Sequence, residues 1–324
     1  MNLIKETQKL IEEGIASALQ ERDLPELYHP VSYTFSLGGK RIRPVLLLLS
    51  AAMEGMMPKE ALPAGLAVEF FHNFTLLHDD IMDAAPIRRG KPSVYTKYGT
   101  NTAILSGDAL MIMAYEQLAK CDAQRLPLLL KRFNRCAIEV CEGQQLDINF
   151  ESRPRVAIDE YLEMIRLKTS VLLGFSMFAG AYLAKGDEAL AEAYYRVGEK
   201  MGMAFQLQDD YLDSFGDPAL FGKRIGGDIL MNKKTYLLLK AMQNGNAGMY
   251  REIVKWLEME NPDPEEKIEK LKELYRLSGA ADDAVRLRNS YYESAMRAMS
   301  ELAGDKEAFR ALKSLSEGLL MRES

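Results

Sequence analysis

The stretch "AVEFFHNFTLLHDDIMD", residues 67–83, runs apolar and aromatic side chains straight into three aspartates. Read as a helix, it places Asp79 and Asp83 about 40° apart around the axis and one turn, ~6 Å, apart along it, so that both can share a ligand on one face. Asp80 points roughly 100° away. An acidic row at the end of an apolar run repels itself unless cations neutralise it, because buried charge persists only when paired or metal-bound. The plainer alternative is a solvated acidic face capped by Arg88 and Arg89.

A second copy of the pattern weakens that alternative. "FQLQDDYLD", residues 205–213, sets Asp209, Asp210 and Asp213 behind the apolar flank "GMAFQL". Two such rows facing each other across a bundle would form a multi-metal clamp. Hard carboxylate oxygens suit Mg²⁺, which takes one or two carboxylates and completes its shell with water and substrate phosphate. Basic residues gather in four knots: "GGKRIRP" (38–44), "PIRRGKP" (86–92), "RLKTS" (166–170) and "FGKRIGGDILMNKKTY" (221–236). Each is expected at a helix end or a glycine-bearing loop, where backbone N–H groups and cationic side chains can both face phosphate oxygens.

Apolar residues recur at helical spacing along nearly the whole chain, as in Leu3, Leu10, Ile11, Ile15 and again in Leu126, Leu129, Leu130, Phe133, Ala137, and no alternating strand stands out. Breaks are expected at Pro25–Pro30, Gly55–Pro63, Pro86–Pro92, Arg153–Pro154, Gly186, Gly216–Gly227, Gly245–Gly248 and Pro262–Pro264. The expected fold is therefore all-α: one large helical bundle and one domain over residues 1–324, with apolar helices 101–119, 168–184 and 189–212 at its centre and charged helices 265–302 and 306–322 outside. At 324 residues and 48% hydrophobic the chain can build a large core. Three cysteines without CxxC spacing, Cys121, Cys136 and Cys141, read as buried thiols in a reducing compartment. The amphipathic, early-charged N-terminus lacks a signal-peptide profile, and no uncharged apolar stretch approaches a membrane span. A net charge of −6 opposes a nucleic-acid surface. A cytoplasmic protein is expected.

In the order "GGKRIRP", "LLHDDIMDAAPIRRGKP", "EGQQLD", "KTS", "FQLQDDYLD" and "GGDI", the chain resembles the trans-isoprenyl diphosphate synthases, from about residue 30 to the C-terminus. The resemblance implies an isoprenoid-synthase bundle around a deep cavity and condensation of isopentenyl diphosphate with an allylic diphosphate. It implies Asp79, Asp83 and Asp209 as the principal Mg²⁺ ligands, supported by Asp80 and Asp213, with Asp210 a further catalytic residue of the second row and about three Mg²⁺ per active site. Arg88, Lys168, Lys223 and Lys233 match positions that grip the allylic diphosphate. Lys40, Arg43, His72 and Arg89 match those that hold isopentenyl diphosphate, and Thr169 and Gln206 the polar pair beside the reacting carbons. A homodimer is implied as well. Phe74, five residues before Asp79, matches the family's usual length-determining position, with small Thr75 beside it; if Phe74 is the floor, Phe71 is a second stop, and the plainer reading makes Phe70, Phe71 and Phe74 ordinary core. The missing insertion between Asp80 and Asp83 tilts the expected product from C15 to C20.

The chemistry accounts for the inventory independently. Ionising an allylic diphosphate releases a highly charged leaving group, which fixed cations and metal ions stabilise as it forms. The carbocation left behind needs a dry apolar surround. A terpene cyclase would need no second diphosphate pocket, and a noncatalytic subunit would be expected to lose an acidic row or the lysines. A longer-chain synthase stays open at this stage. So do two roles for His78, orienting donor or packed imidazole, and two for Gln145 and Asp147, supporting the site or capping a helix. His29 reads as surface.

Overall fold

The computed structural model describes residues 2–20, 22–217, 225–302 and 306–320. The chain is all-α, as expected. Its helices are α1 (Asn2–Gln20), α2 (Pro25–Ser36), α3 (Ile42–Met53) and α4 (Pro58–Met82); after a two-stranded hairpin, β1 (Ile87–Arg88) and β2 (Lys91–Pro92), come α5 (Val94–Tyr98), α6 (Thr100–Leu118), α7 (Leu126–Ser152) and α8 (Ile158–Ile165). A π-helical turn, Arg166–Ser170, leads without interruption into α9 (Val171–Lys185), then α10 (Glu188–Phe215), α11 (Gly227–Leu230), α12 (Tyr236–Asn244), α13 (Ala247–Glu258), α14 (Pro264–Leu277), α15 (Ala280–Leu302) and α16 (Lys306–Leu320).

The chain divides into two compact units: Met1–Asn134, Phe175–Tyr195 and Met299–Leu315 form the first, and Arg135–Gly174, Arg196–Ala298 and Ser316–Ser324 the second. In the first unit α3 is buried nearly throughout, from Pro44 to Ala51. Gly180 of α9 lies against it so closely that a Cβ would stand 2.2 Å from the Leu47 carbonyl oxygen, which is why that helix crossing takes a glycine. In the second unit an apolar core gathers Tyr161, Leu207, Tyr236, Leu237, Ile253, Trp256, Leu271 and Tyr275.

Several expected breaks are not breaks. Pro25 and Pro58 open α2 and α4 at the first helical position, where a missing N–H costs nothing, and Pro30 and Pro63 are carried inside those helices at the price of one rung each. "RLKTS" lies within a continuous helical run and not at a helix end. Conversely, residues 265–302 are two helices, parted at Gly279, whose φ of +75° stops α14. Of the cysteines, all free, only Cys136 is buried; Cys121 is half-buried and Cys141 exposed, so the uniform burial expected of them fails. His29 is exposed, as read. The segment Ile158–Lys185 is long and apolar enough to cross a membrane by length and composition, but 83% of its most apolar window is buried, as in a core helix. Helix α6 is not apolar-faced and central all round, for Ile104, Leu105 and Ile112 stand exposed.

Candidate active site

In the first unit, α4 brings the acidic row to its C-terminus. The helix ends at Met82 and Asp83 caps it, yet the Asp83 N–H still donates to the Asp79 carbonyl at 2.8 Å, so helical spacing holds across the row. The β1–β2 hairpin follows at once and turns Arg88 back onto it: Arg88 Nε donates to both Asp80 oxygens at 2.8 Å, Nη2 lies 2.7 Å from Asp80 Oδ1, and 3.9 Å separates it from Asp79 Oδ2. Asp80 is buried. Its pKa is nonetheless raised, by burial first and by Asp79 and Asp83 in addition, against the pull of Arg88. Arg88 thus spends its short contacts on Asp80.

A cluster of opposite sign stands in the same unit. Arg41, at φ +50° before α3, is buried and fixed by Glu12 at 2.7 Å, Glu69 at 2.9 Å and the Phe35 carbonyl at 3.0 Å. Glu69 is itself held by Asn73 at 3.0 Å. Two residues on, Arg43 Nη1 lies 3.1 Å from His72 Nε2. A guanidinium can only donate, so Nε2 accepts and the imidazole is neutral with its proton on Nδ1. Burial, then Arg43, Arg89, Arg88 and Arg41, hold the His72 pKa well below the ordinary range. Arg89, exposed on one side and at φ +53°, has its own pKa lowered by burial and then by Arg41 and Arg88. Gly39 makes room for this crowding: a Cβ there would stand 2.9 Å from Arg89 Nη1 and 3.1 Å from Arg41 Nη1. Half-buried Lys40 adjoins, its carbonyl accepting from Gln8 at 3.2 Å. Such a cluster can receive an anion.

Upstream on α4 the aromatic side chains form a stack. Phe74 packs on His78 with ring centroids 4.7 Å apart and on Phe71 at 5.6 Å, and Phe71 meets Phe133 edge-on at 5.2 Å. The Thr75 hydroxyl donates to the His72 carbonyl at 2.8 Å. His78 is a packed imidazole: it rests where a Cβ on Gly107 would come within 2.4 Å of it, and Nε2 lies 3.2 Å from the Ile104 carbonyl.

In the second unit the π turn presents Lys168 and Thr169. Three glycines let helices close around it, since Cβ atoms at Gly143, Gly202 and Gly198 would stand 2.2, 2.5 and 2.5 Å from the backbone of Lys168, Ser170 and Leu173. Lys168 Nζ donates to Asp147 at 2.6 Å, which decides between the two readings of Asp147; Gln145 is exposed and bonds Asn149 on its own helix. A chain of hydrogen bonds then runs from Thr169 Oγ1 to Gln206 Oε1 at 2.9 Å, and from Gln206 Nε2 to Asp210 Oδ1 at 2.9 Å, with the Tyr161 hydroxyl on the other Asp210 oxygen. Burial raises the Asp210 pKa strongly, and Asp228 adds to it. Asp209 is exposed, whereas Asp210 and Asp213 are buried. Asp213 anchors the "GGDI" segment, accepting from Gly226 N at 2.6 Å through its carbonyl and from Asp228 N at 3.0 Å through its carboxylate. Lys233 follows at the end of that segment; Lys223 lies outside the described residues.

Among the described residues, no three His, Cys, Asp or Glu side chains stand close enough together to hold a metal ion. The donor chemistry still fits a hard divalent cation, because Mg²⁺ needs only one or two carboxylates and draws the rest of its shell from water and phosphate. Asp79 and Asp83 of the first row and Asp209 of the second are the residues that would supply them. Arg41, Tyr161 and Asp228 were missed. Arg41 sits inside a quoted basic knot and could have been found; a lone tyrosine at 161 carries no pattern.

Two acidic rows, a cationic cluster and a hydroxyl–amide pair on an all-α scaffold define a class of diphosphate-handling proteins. The sequence matches the polyprenyl synthetase family over residues 24–276, and the chain belongs to that family, whose members generally use divalent metal and isoprenoid diphosphates. It is 42% identical over 245 residues to a geranylgeranyl pyrophosphate synthase of Geoglobus acetivorans, covering 75% of this chain and 76% of the relative. It is 40% identical over 244 residues to a geranylgeranyl diphosphate synthase of Methanosarcina mazei, covering 75% of each. A crystal structure of a geranylgeranyl pyrophosphate synthase, 46% identical, superposes over 100% of both chains with a TM-score of 0.94.

Proposed function

We propose that the chain is a short-chain trans-prenyltransferase that condenses isopentenyl diphosphate with dimethylallyl, geranyl and farnesyl diphosphates to give C15–C20 products, chiefly C20. The observation that carries this reading is the presence, within one unit, of an acidic row bonded by Arg88 and an arginine cluster around neutral His72. One diphosphate suits the first through a cation and the other suits the second directly. A cyclase has no use for the second.

In this reading Arg88, Lys168, Lys223 and Lys233 hold the allylic diphosphate, and Lys40, Arg43, His72 and Arg89 hold isopentenyl diphosphate. Mg²⁺ on Asp79, Asp83 and Asp209, about three ions in all, would supply positive charge to the leaving diphosphate. The C–O bond of the allylic substrate breaks, the double bond of isopentenyl diphosphate attacks the carbocation, and the departed diphosphate takes the proton that is lost. The Thr169 hydroxyl and the Gln206 amide, already hydrogen-bonded to each other, turn their dipoles toward the reacting carbons. The names of the relatives support C20, and so does Phe74, held by Phe71 and His78 as a floor below the first row. The exposed apolar side chains of α6, Ile104, Leu105 and Ile112, support a homodimer, and the three free cysteines support a cytoplasmic setting.

The test is to incubate wild type and Phe74→Ala with each allylic diphosphate, isopentenyl diphosphate and Mg²⁺, and to chromatograph the dephosphorylated products. Wild type should stop at C20 and Phe74→Ala should run beyond it. Wild-type chains of C30 or longer would refute the short-chain reading, and an unchanged distribution in the variant would move the floor elsewhere.

A further inference from the structure

Lys267 of α14 is a buried cation that the reaction does not use. Only 3% of it is exposed, and its Nζ donates to Asn232 Oδ1 at 2.7 Å. Burying a lysine is costly unless its ammonium is hydrogen-bonded, and burial lowers its pKa accordingly. A methionine of similar length would fill the space at less cost, so the amide it reaches is the informative partner.

Asn232 occupies an unusual place. Its backbone is left-handed at φ +55°, and it directly precedes Lys233. Its side chain is held at both ends, Oδ1 by Lys267 and Nδ2 by the Leu257 carbonyl, to which it donates at 3.1 Å. The next residue of α14 secures the other end of the same segment: a Cβ on Gly226 would stand 2.6 Å from Ile268 Cδ1, so backbone and side chain are in direct contact. Between these two fixed points run Asp228, tied to Asp213, and the bond from Lys233 N to the Asp228 carbonyl at 2.9 Å.

We infer that Lys267 is a positioning residue: through Asn232 it holds the Gly226–Thr235 segment against α14 and so sets where the adjacent Lys233 presents its ammonium to the allylic diphosphate. The inference rests on the proposed role of Lys233. It makes α14, a charged outer helix, part of the support of the diphosphate site.

The experiment uses the full chain with Lys267→Met, Lys267→Arg, Asn232→Gly and the Lys267→Met/Asn232→Gly pair. Asn232→Gly keeps the left-handed backbone while deleting both side-chain bonds, and it stands in should Lys267→Met fail to fold. Amide hydrogen exchange should speed up in residues 227–235 for Lys267→Met, with α4 unchanged. The KM for geranyl diphosphate should rise about tenfold, the scale seen when an outer partner of a binding group is removed, while that for isopentenyl diphosphate stays fixed. Lys267→Arg should recover part of the loss, and the double variant should be no worse than the worse single one, because both break one link. Unchanged exchange in 227–235, or an equal rise in both KM values, overturns the inference. A wild type that condenses no allylic diphosphate overturns the proposed function and the role of Lys233 with it, while the exchange arm still decides whether Lys267 holds the segment.

Discussion

Replacing Gly143 by alanine should cripple catalysis far more than it destabilises the fold. The added Cβ would stand 2.2 Å from Lys168 N and 2.7 Å from Lys168 Cα. Ordinary contact begins near 3.4 Å, so α7 and the π turn must separate by about 1.2 Å, and the obstacle is backbone that cannot rotate aside. Overpacking of this kind costs about 1–3 kcal/mol, which lowers Tm by a few degrees in a chain of this size. The same shift moves Lys168 off Asp147, now 2.6 Å away, and Thr169 off Gln206. A misplacement of about 1 Å can cost ~10²-fold in rate. Thermal melts by circular dichroism and steady-state kinetics with geranyl diphosphate read the two effects separately. Gly65→Ala is the control: its Cβ would meet Pro44 at 3.6 Å, ordinary contact, and a helix-interior glycine replaced by alanine gains about 0.5–1 kcal/mol. Wild-type kcat and Tm in Gly143→Ala would show that the close approach has no bearing on the site.

Asp79→Ala and Asp209→Ala should each lower Mg²⁺-dependent turnover by several orders of magnitude with the helical circular dichroism retained; full activity in either variant would remove that row from the mechanism. Lys40→Ala or Arg43→Ala should raise chiefly the KM for isopentenyl diphosphate, whereas Lys168→Ala or Lys233→Ala should act on the allylic substrate, and identical behaviour of the two pairs would refute the division. His72 is held neutral, with a folded pKa below its unfolded value, so the unfolded chain binds the extra proton and the stability His72 contributes is lost as pH falls below 6.5. Denaturant midpoints should therefore show the gap between wild type and His72→Gln narrowing on acidification, and a constant gap would count against a neutral buried imidazole.

What the sequence disclosed and what it hid follow from physical range. The acidic rows, the basic knots and the helical periodicity are local patterns, and they were legible. Pro30 and Pro63 misled because a proline in the second turn of a helix forfeits one rung, which packing on either side outweighs. The aspartates also looked alike in sequence: only burial separates exposed Asp209 from Asp210 and from Asp213, which spends its carboxylate on the Asp228 amide. The π turn at Arg166–Ser170 had no local signature either. It depends on Gly143 and Gly202, 23 residues before its start and 32 after its end, which make room for a wider turn.

The directions of the pKa shifts in the first unit give a rule that no single contact gives. Asp80 is raised by burial first and by Asp79 and Asp83 in addition, although Arg88 bonds it through three short contacts, so a positive charge brought beside it would favour its ionised form. His72 and Arg89 are lowered by burial first and by the neighbouring arginines in addition, although Glu12 and Glu69 pair with Arg41, so a negative charge brought there would oppose the arginines. Arg88 on Asp80 fixes the geometry of the first cluster, and Arg41 on Glu12 and Glu69 fixes that of the second. A diphosphate can balance the second directly, but at the first it would add like charge unless a cation came with it. In the proposed reaction these carboxylates would thus impose metal dependence on the substrate held at the first row and not on the other.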